Sequence, residues 1–132
     1  MNIVPVTGLY AALFALILIP LTIRVGLYRD KIKVYAGDGG DETLTRRIRG
    51  HANFLEYVPF GLLLIALLEL TGASGLILHG LGVLFLVSRV MHYFTLIVSP
   101  LAVTRQISML GTIAVFLMSG GLLIYFNLSG TF

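Results

Sequence analysis

Charged residues are absent from Ile3 to Ile23, and this apolar run is the first of four along the chain. A helix needs about 20 apolar residues to cross the hydrocarbon core of a bilayer, at roughly 1.5 Å rise per residue. The pattern predicts a first helix over 3–27, with Pro5 near its start and Pro20 inside it. Proline lacks the N–H of the helical ladder and clashes with the preceding turn, so a kink is expected at Pro20. A second helix is expected over 43–71: it begins in the charged segment Thr43–Arg49 and runs through HANFLEYVPFGLLLIALLEL to the turn signals Thr71-Gly72 and Ser74-Gly75. A third is expected over 76–98, stopped by Ser99-Pro100, and a fourth over 103–126. The apolar runs are continuous rather than alternating, which argues against a membrane β-barrel. The first run has no basic leader and no A-x-A-like cleavage site, so it reads as a retained span rather than a signal peptide. The expected fold is an all-α integral membrane bundle of four transmembrane helices, forming a single domain over 1–132.

Composition sharpens this picture. Of 132 residues, 58% are hydrophobic and 11% charged, with a mean hydropathy of +0.98. A soluble domain carries about 25% charged residues. There is no cysteine, so the chain has no disulfide, no thiolate metal site and no cysteine nucleophile. The net charge of +3 does not indicate nucleic acid, because the basic residues are not spread over a soluble face. Arg29, Lys31, Lys33, Arg46, Arg47 and Arg49 lie between the first two apolar runs, and Arg105 lies between the last two. The link between the second and third runs has no Lys or Arg. The positive-inside rule then places both basic connections in the cytoplasm and both termini on the opposite side. The segment Tyr35–Glu42 is the one long polar loop; its glycines and aspartates read as turn formers, and Asp38 and Asp41 lack the converging ligands of a metal site. Gly61, Gly80, Gly82, Gly111, Gly120 and Gly121 fall inside the spans, where small residues let helices approach closely.

Candidate chemistry resides in ionisable groups at membrane depth, where a charge near the bilayer centre costs about 2.5–3.5 kcal/mol even on the lenient insertion scale. Arg49, Asn53 and Glu56 stand at i, i+4 and i+7, on one stripe of the second helix, with Tyr57 beside it. Ser88, Arg89, His92 and Tyr93 form a second cluster on the third helix, and Arg89 is the expected partner of Glu56. Two readings of these groups stand side by side: a polar seam holding helices together, or a basic pocket near the cytoplasmic side for a polyanionic hydrophilic ligand. Arg49 and Arg89 can engage carboxylates, Glu56 can accept from an ammonium, and Asn53 can donate or accept. Arg105 reads either as a boundary arginine or as part of that pocket. His51, His79 and His92 have no metal-ligand spacing, and no metal is expected. Glu69 lies thirteen residues beyond Glu56 and, like His79, belongs to the other membrane face.

On these residues the chain resembles the MAPEG family, the membrane-associated proteins in eicosanoid and glutathione metabolism. The resemblance covers nearly the whole chain and rests on Arg49-x-x-x-Asn53-x-x-Glu56-Tyr57 followed by Pro59, on Arg89-x-x-His92-Tyr93, on Arg105 at the start of the fourth helix, and on the GDGG loop shared with small bacterial members. It implies a homotrimer with glutathione, as co-substrate, bound between subunits near the cytoplasmic side of a bacterial inner membrane. It implies further that Arg49, Asn53, Glu56, Tyr57, Arg89 and His92 bind the tripeptide, with His51 as an additional contact and Arg24 or Arg29 contributed from the end of the first helix. Arg105 would correspond to the arginine that stabilises the glutathione thiolate, since a neighbouring cation lowers a thiol's pKa. The implied activity is that of a glutathione transferase, with peroxidase chemistry beside it, acting on lipophilic electrophiles or hydroperoxides dissolved in membrane lipid. A non-catalytic lipid-binding or scaffold member of the same family is the alternative. The chain departs from the eicosanoid-synthesising members at Leu96, where several carry a tyrosine, and at Gln106, where the prostaglandin-E-synthase branch has a serine. The second departure argues against that isomerase activity.

Overall fold

The computed structural model describes residues 3–97 and 102–130. It contains four helices, α1 (Pro5–Ile32), α2 (Glu42–Leu70), α3 (Gly75–Ile97) and α4 (Ala102–Ser129), each long and apolar enough to cross a membrane. The expected stop at Ser99-Pro100 lies outside the described residues. α1 runs five residues past the expected position 27, because hydropathy marks where lipid ends and not where the helix must end. It stops at Lys33, whose left-handed φ of 57° turns its N–H back onto the carbonyls of Arg29 and Asp30. α2 starts where Asp41 caps it, the carboxylate accepting the N–H of Leu44 at 2.7 Å.

In the preceding loop, Asp38 accepts from the Gly40 N–H at 3.1 Å and the Thr45 hydroxyl at 2.9 Å. Those two donors hold its carboxyl below the ordinary range. Both loop aspartates are thus engaged in turn and cap contacts. Arg29 donates to the carbonyls of Val34 and Gly37, tying the same loop to the end of α1.

α3 is the innermost helix: 44% of its apolar stretch is buried, against 22% for α1 and α4. One phenylalanine from each helix builds the middle of the core. Phe14 packs on Phe54 and Phe85 at ring-centroid distances of 5.7 and 5.2 Å, and Phe116 packs on Phe85 at 6.1 Å. Edge and tilted contacts of this kind add about 0.5–1.5 kcal/mol per pair beyond the buried area. Three glycines sit where helices approach closely: a Cβ at Gly61 would strike the Phe85 ring, one at Gly82 the Tyr10 ring, and one at Gly111 the Ser88 hydroxyl. Beyond the backbone of their own helix, Gly80, Gly120 and Gly121 have no atom of the described residues within 4 Å of where a Cβ would stand.

α1 has no capping side chain of its own at Val4. Glu69, from the far end of α2, supplies the cap: its two carboxylate oxygens accept the N–H groups of Val6 and Thr7, each at 2.7 Å. Beside it the Tyr10 hydroxyl meets both the ring Nδ1 and the carbonyl of His79, joining α1 to α3. Glu69→Gln keeps one acceptor oxygen and turns the other into an NH2 facing an N–H. A loss of about 1–3 kcal/mol is expected, read as a lowered melting temperature in detergent. An unchanged melting curve would mean that the carboxylate does not hold α1.

Candidate functional site

At the opposite end of the bundle from Glu69, a recess of about 190 Å³ is lined by Arg49, Asn53 and Glu56 from α2, His92 from α3 and Arg105 from α4, with Ala52 and Leu96 as its apolar wall. The spacing on α2 puts its three polar residues on one stripe, and the α3 and α4 residues close over that stripe. Arg49, Glu56 and Arg105 are exposed, Asn53 is half-buried and His92 is buried. None of the exposed three has an ion pair among the described residues, where both salt bridges (Asp30 with Lys33, Glu42 with Arg46) lie at the ends of α1 and α2. Arg105 falls in the first turn of α4, where unpaired N–H groups and the helix dipole already favour an anion. The recess is therefore cationic, with one carboxylate on its wall.

Arg89 lies behind the recess rather than in its lining. It is 1% exposed, and its guanidinium donates to Asn53 Oδ1 at 3.0 Å and to Met109 Sδ at 3.6 Å, while lying 4.9 Å from the centre of the Tyr57 ring. The expected pairing of Arg89 with Glu56 is thus replaced by Asn53. Three residues along a helix is a rotation of about 60° from the same face, enough to aim Asn53 at α3 and Glu56 into the recess. With Oδ1 engaged, Asn53 offers its N–H groups to a ligand. Tyr57 supports Arg89 from below through the face of its ring, a favourable place for a buried cation.

Two other expected residues lie elsewhere in the bundle. His51 Nε2 is 3.0 Å from the Thr22 hydroxyl, and that hydroxyl donates to the Leu18 carbonyl, so the histidine ties α2 to α1. Arg29 is occupied by the loop. Arg24 accepts from Arg47 through its backbone carbonyl, and its guanidinium, whose charge is felt at Tyr93, has no hydrogen bond among the described residues.

The sequence reading did not single out Ser108, which is fully buried and joins α4 to His92. The signal was present in the spacing: Arg105, Ser108, Thr112 and Ser119 stand at i, i+3, i+7 and i+14, one polar stripe on an apolar helix. Among the described residues no three His, Asp or Glu side chains converge as metal ligands would.

Residues 7–125 of this all-helical membrane bundle fit the model of the MAPEG family, and the chain belongs to that family. The protein is 38% identical over 89 residues to "Inner membrane protein YecN" of Escherichia coli, in strain K12 and in an O6:H1 strain, covering 67% of this chain and 68% of that protein. No solved structure matches the chain.

Proposed function

We propose that the protein is a glutathione transferase of the inner membrane, with hydroperoxide reduction as a second chemistry, joining the glutathione thiolate to lipophilic electrophiles that reach the site through the lipid. The observation that carries this reading is the recess itself. Arg49, the Asn53 amide and Arg105 suit carboxylates and a developing thiolate, while Glu56 suits an ammonium. Glutathione presents all of these groups.

The active form in this proposal is a homotrimer with the recess at a subunit boundary. Ligand pockets typically measure about 300–1,000 Å³, and the protomer's recess, at about 190 Å³, is a partial enclosure. Of the two arginines toward the end of α1, Arg24 is the one whose guanidinium makes no hydrogen bond among the described residues, and in this proposal it completes a neighbour's site. The basic connections face the cytoplasm in this arrangement, with both termini on the other side.

Titrating the detergent-purified protein with glutathione in a calorimeter tests the reading. Binding in the millimolar range or tighter is expected, and no heat or displacement at any concentration would overturn it. Binding without turnover of any electrophile would point to the non-catalytic member. The detergent-corrected mass is expected to be that of three protomers, and a stable single protomer would remove the shared site.

A further inference from the structure

We infer that Ser108 fixes His92 in the tautomer that carries its proton on Nδ1, so that Nε2 faces the recess as an acceptor and takes the thiol hydrogen of the bound co-substrate. The inference rests on the glutathione reading above and adds to it a positioning residue on α4.

The Ser108 hydroxyl oxygen lies 2.9 Å from the carbonyl oxygen of Arg105 and 2.9 Å from His92 Nδ1. A hydroxyl has one hydrogen to give. The carbonyl can only accept, so the hydroxyl donates there, and the Nδ1 contact is an N–H of the imidazole donating to the serine oxygen. The other neutral tautomer would set two acceptors competing for one hydrogen in a fully buried place and leave one of them unpaired. A doubly protonated ring would add a third cation beside Arg89, one turn back on α3, and Arg105 on α4. The ring is therefore neutral, with its lone pair on Nε2.

Nε2 has no partner among the described residues, and His92 lines the recess. Facing the imidazole across that recess are Arg49, Asn53 and Glu56 of α2. Arg49 and Arg105 can only donate, and Asn53 Oδ1 already accepts from Arg89, so Nε2 and Glu56 are the two unoccupied acceptors of the recess where a ligand's hydrogens can go. A carboxylate suits an ammonium; an uncharged nitrogen suits a weakly acidic S–H. Ser108 also ties the imidazole to the turn that carries Arg105, which brings the acceptor for the thiol hydrogen and the cation for the sulfur's charge to one end of the recess. When the S–H bond breaks, its electron pair stays on sulfur and the proton goes to Nε2. The imidazolium and thiolate appear together, leaving the charge of the site unchanged; conjugate addition then returns the proton to the carbon of the adduct, whereas in aromatic substitution chloride leaves and the imidazolium gives its proton to water.

Nitrogen NMR of protein labelled in its histidines tests this, with the His92 resonances identified by their loss in His92→Gln. In the ligand-free protein Nδ1 is expected to be the protonated nitrogen and Nε2 the bare one. Glutathione should shift Nε2, and S-methylglutathione, which keeps the carboxylates and the ammonium but lacks the ionisable S–H, should not. Ser108→Ala should give mixed tautomers and lower kcat about tenfold or more with KM within about twofold, because the ligand's charged contacts are untouched. A proton on Nε2 in the free protein overturns the inference, as does an unaltered tautomer in Ser108→Ala. An Nε2 signal that ignores glutathione while calorimetry shows it bound does the same, and in that case the binding reading survives. Absence of calorimetric binding removes the glutathione reading and the thiol contact together, with the tautomer still read directly from the spectrum.

Discussion

Arg105→Ala is expected to slow the saturated turnover of a model electrophile such as a chloronitrobenzene by on the order of 100-fold, with little change in glutathione affinity. Removing one preorganised donor from a developing anion typically costs about 10²–10³ in kcat. An interaction with ionised sulfur acts on the reactive species, whereas carboxylate contacts hold thiol and thiolate forms alike. Arg49→Ala should do the reverse, raising the glutathione requirement before it touches the saturated rate. The ultraviolet absorbance of the thiolate gives an independent reading: the bound thiol should ionise near neutral pH in the parent and at higher pH in Arg105→Ala. If the two proteins share one titration curve and one saturated rate, Arg105 is a boundary arginine and the catalytic role falls.

The largest stability effect is expected at Asn53. Arg89 is buried at the centre of the helix contacts, its Nε has no partner, and the oxygen of Asn53 is its one oxygen acceptor among the described residues. Asn53→Ala leaves the guanidinium with a thioether and an aromatic face, at a loss of about 1.5–3 kcal/mol for a hydrogen bond to a charged group. Asn53→Asp should restore or exceed the parent's stability, because a carboxylate at the same distance both accepts and neutralises. Thermal unfolding in detergent without ligand separates the two variants. Equal melting of parent and Asn53→Ala would show that Arg89 draws its support from elsewhere.

The four helices were legible because a bilayer demands length and oiliness, and both are written in uninterrupted runs such as Ile3 to Ile23. The polar residues of α2 and α3 stood out for the same reason, since lipid makes each charge conspicuous. Partnership was harder to read. Asn53 and Glu56 lie within one turn, and which of them meets Arg89 depends on a rotation of α2 that only packing against α3 determines. His51 looked equivalent to its neighbours on chemistry alone, yet two positions from Arg49 it turns toward Thr22 of α1 and away from the recess. Ser108 carries no charge, and the stripe it shares with Arg105, Thr112 and Ser119 marks a polar face of α4 without saying what that face meets; its contacts with His92 and the Arg105 carbonyl become visible only when α3 and α4 are side by side.

The carboxylate of Glu69, closing the start of α1 from the end of α2, bears on how the protein is made. α1 leaves the ribosome while residue 69 is still unwritten, so its first amides have only water or lipid headgroups to bond. Those amides acquire their protein partner when the chain has turned through the loop and come back across the bilayer. The first two helices thus mature as one antiparallel hairpin, and α1, although translated before α2, is completed only after it.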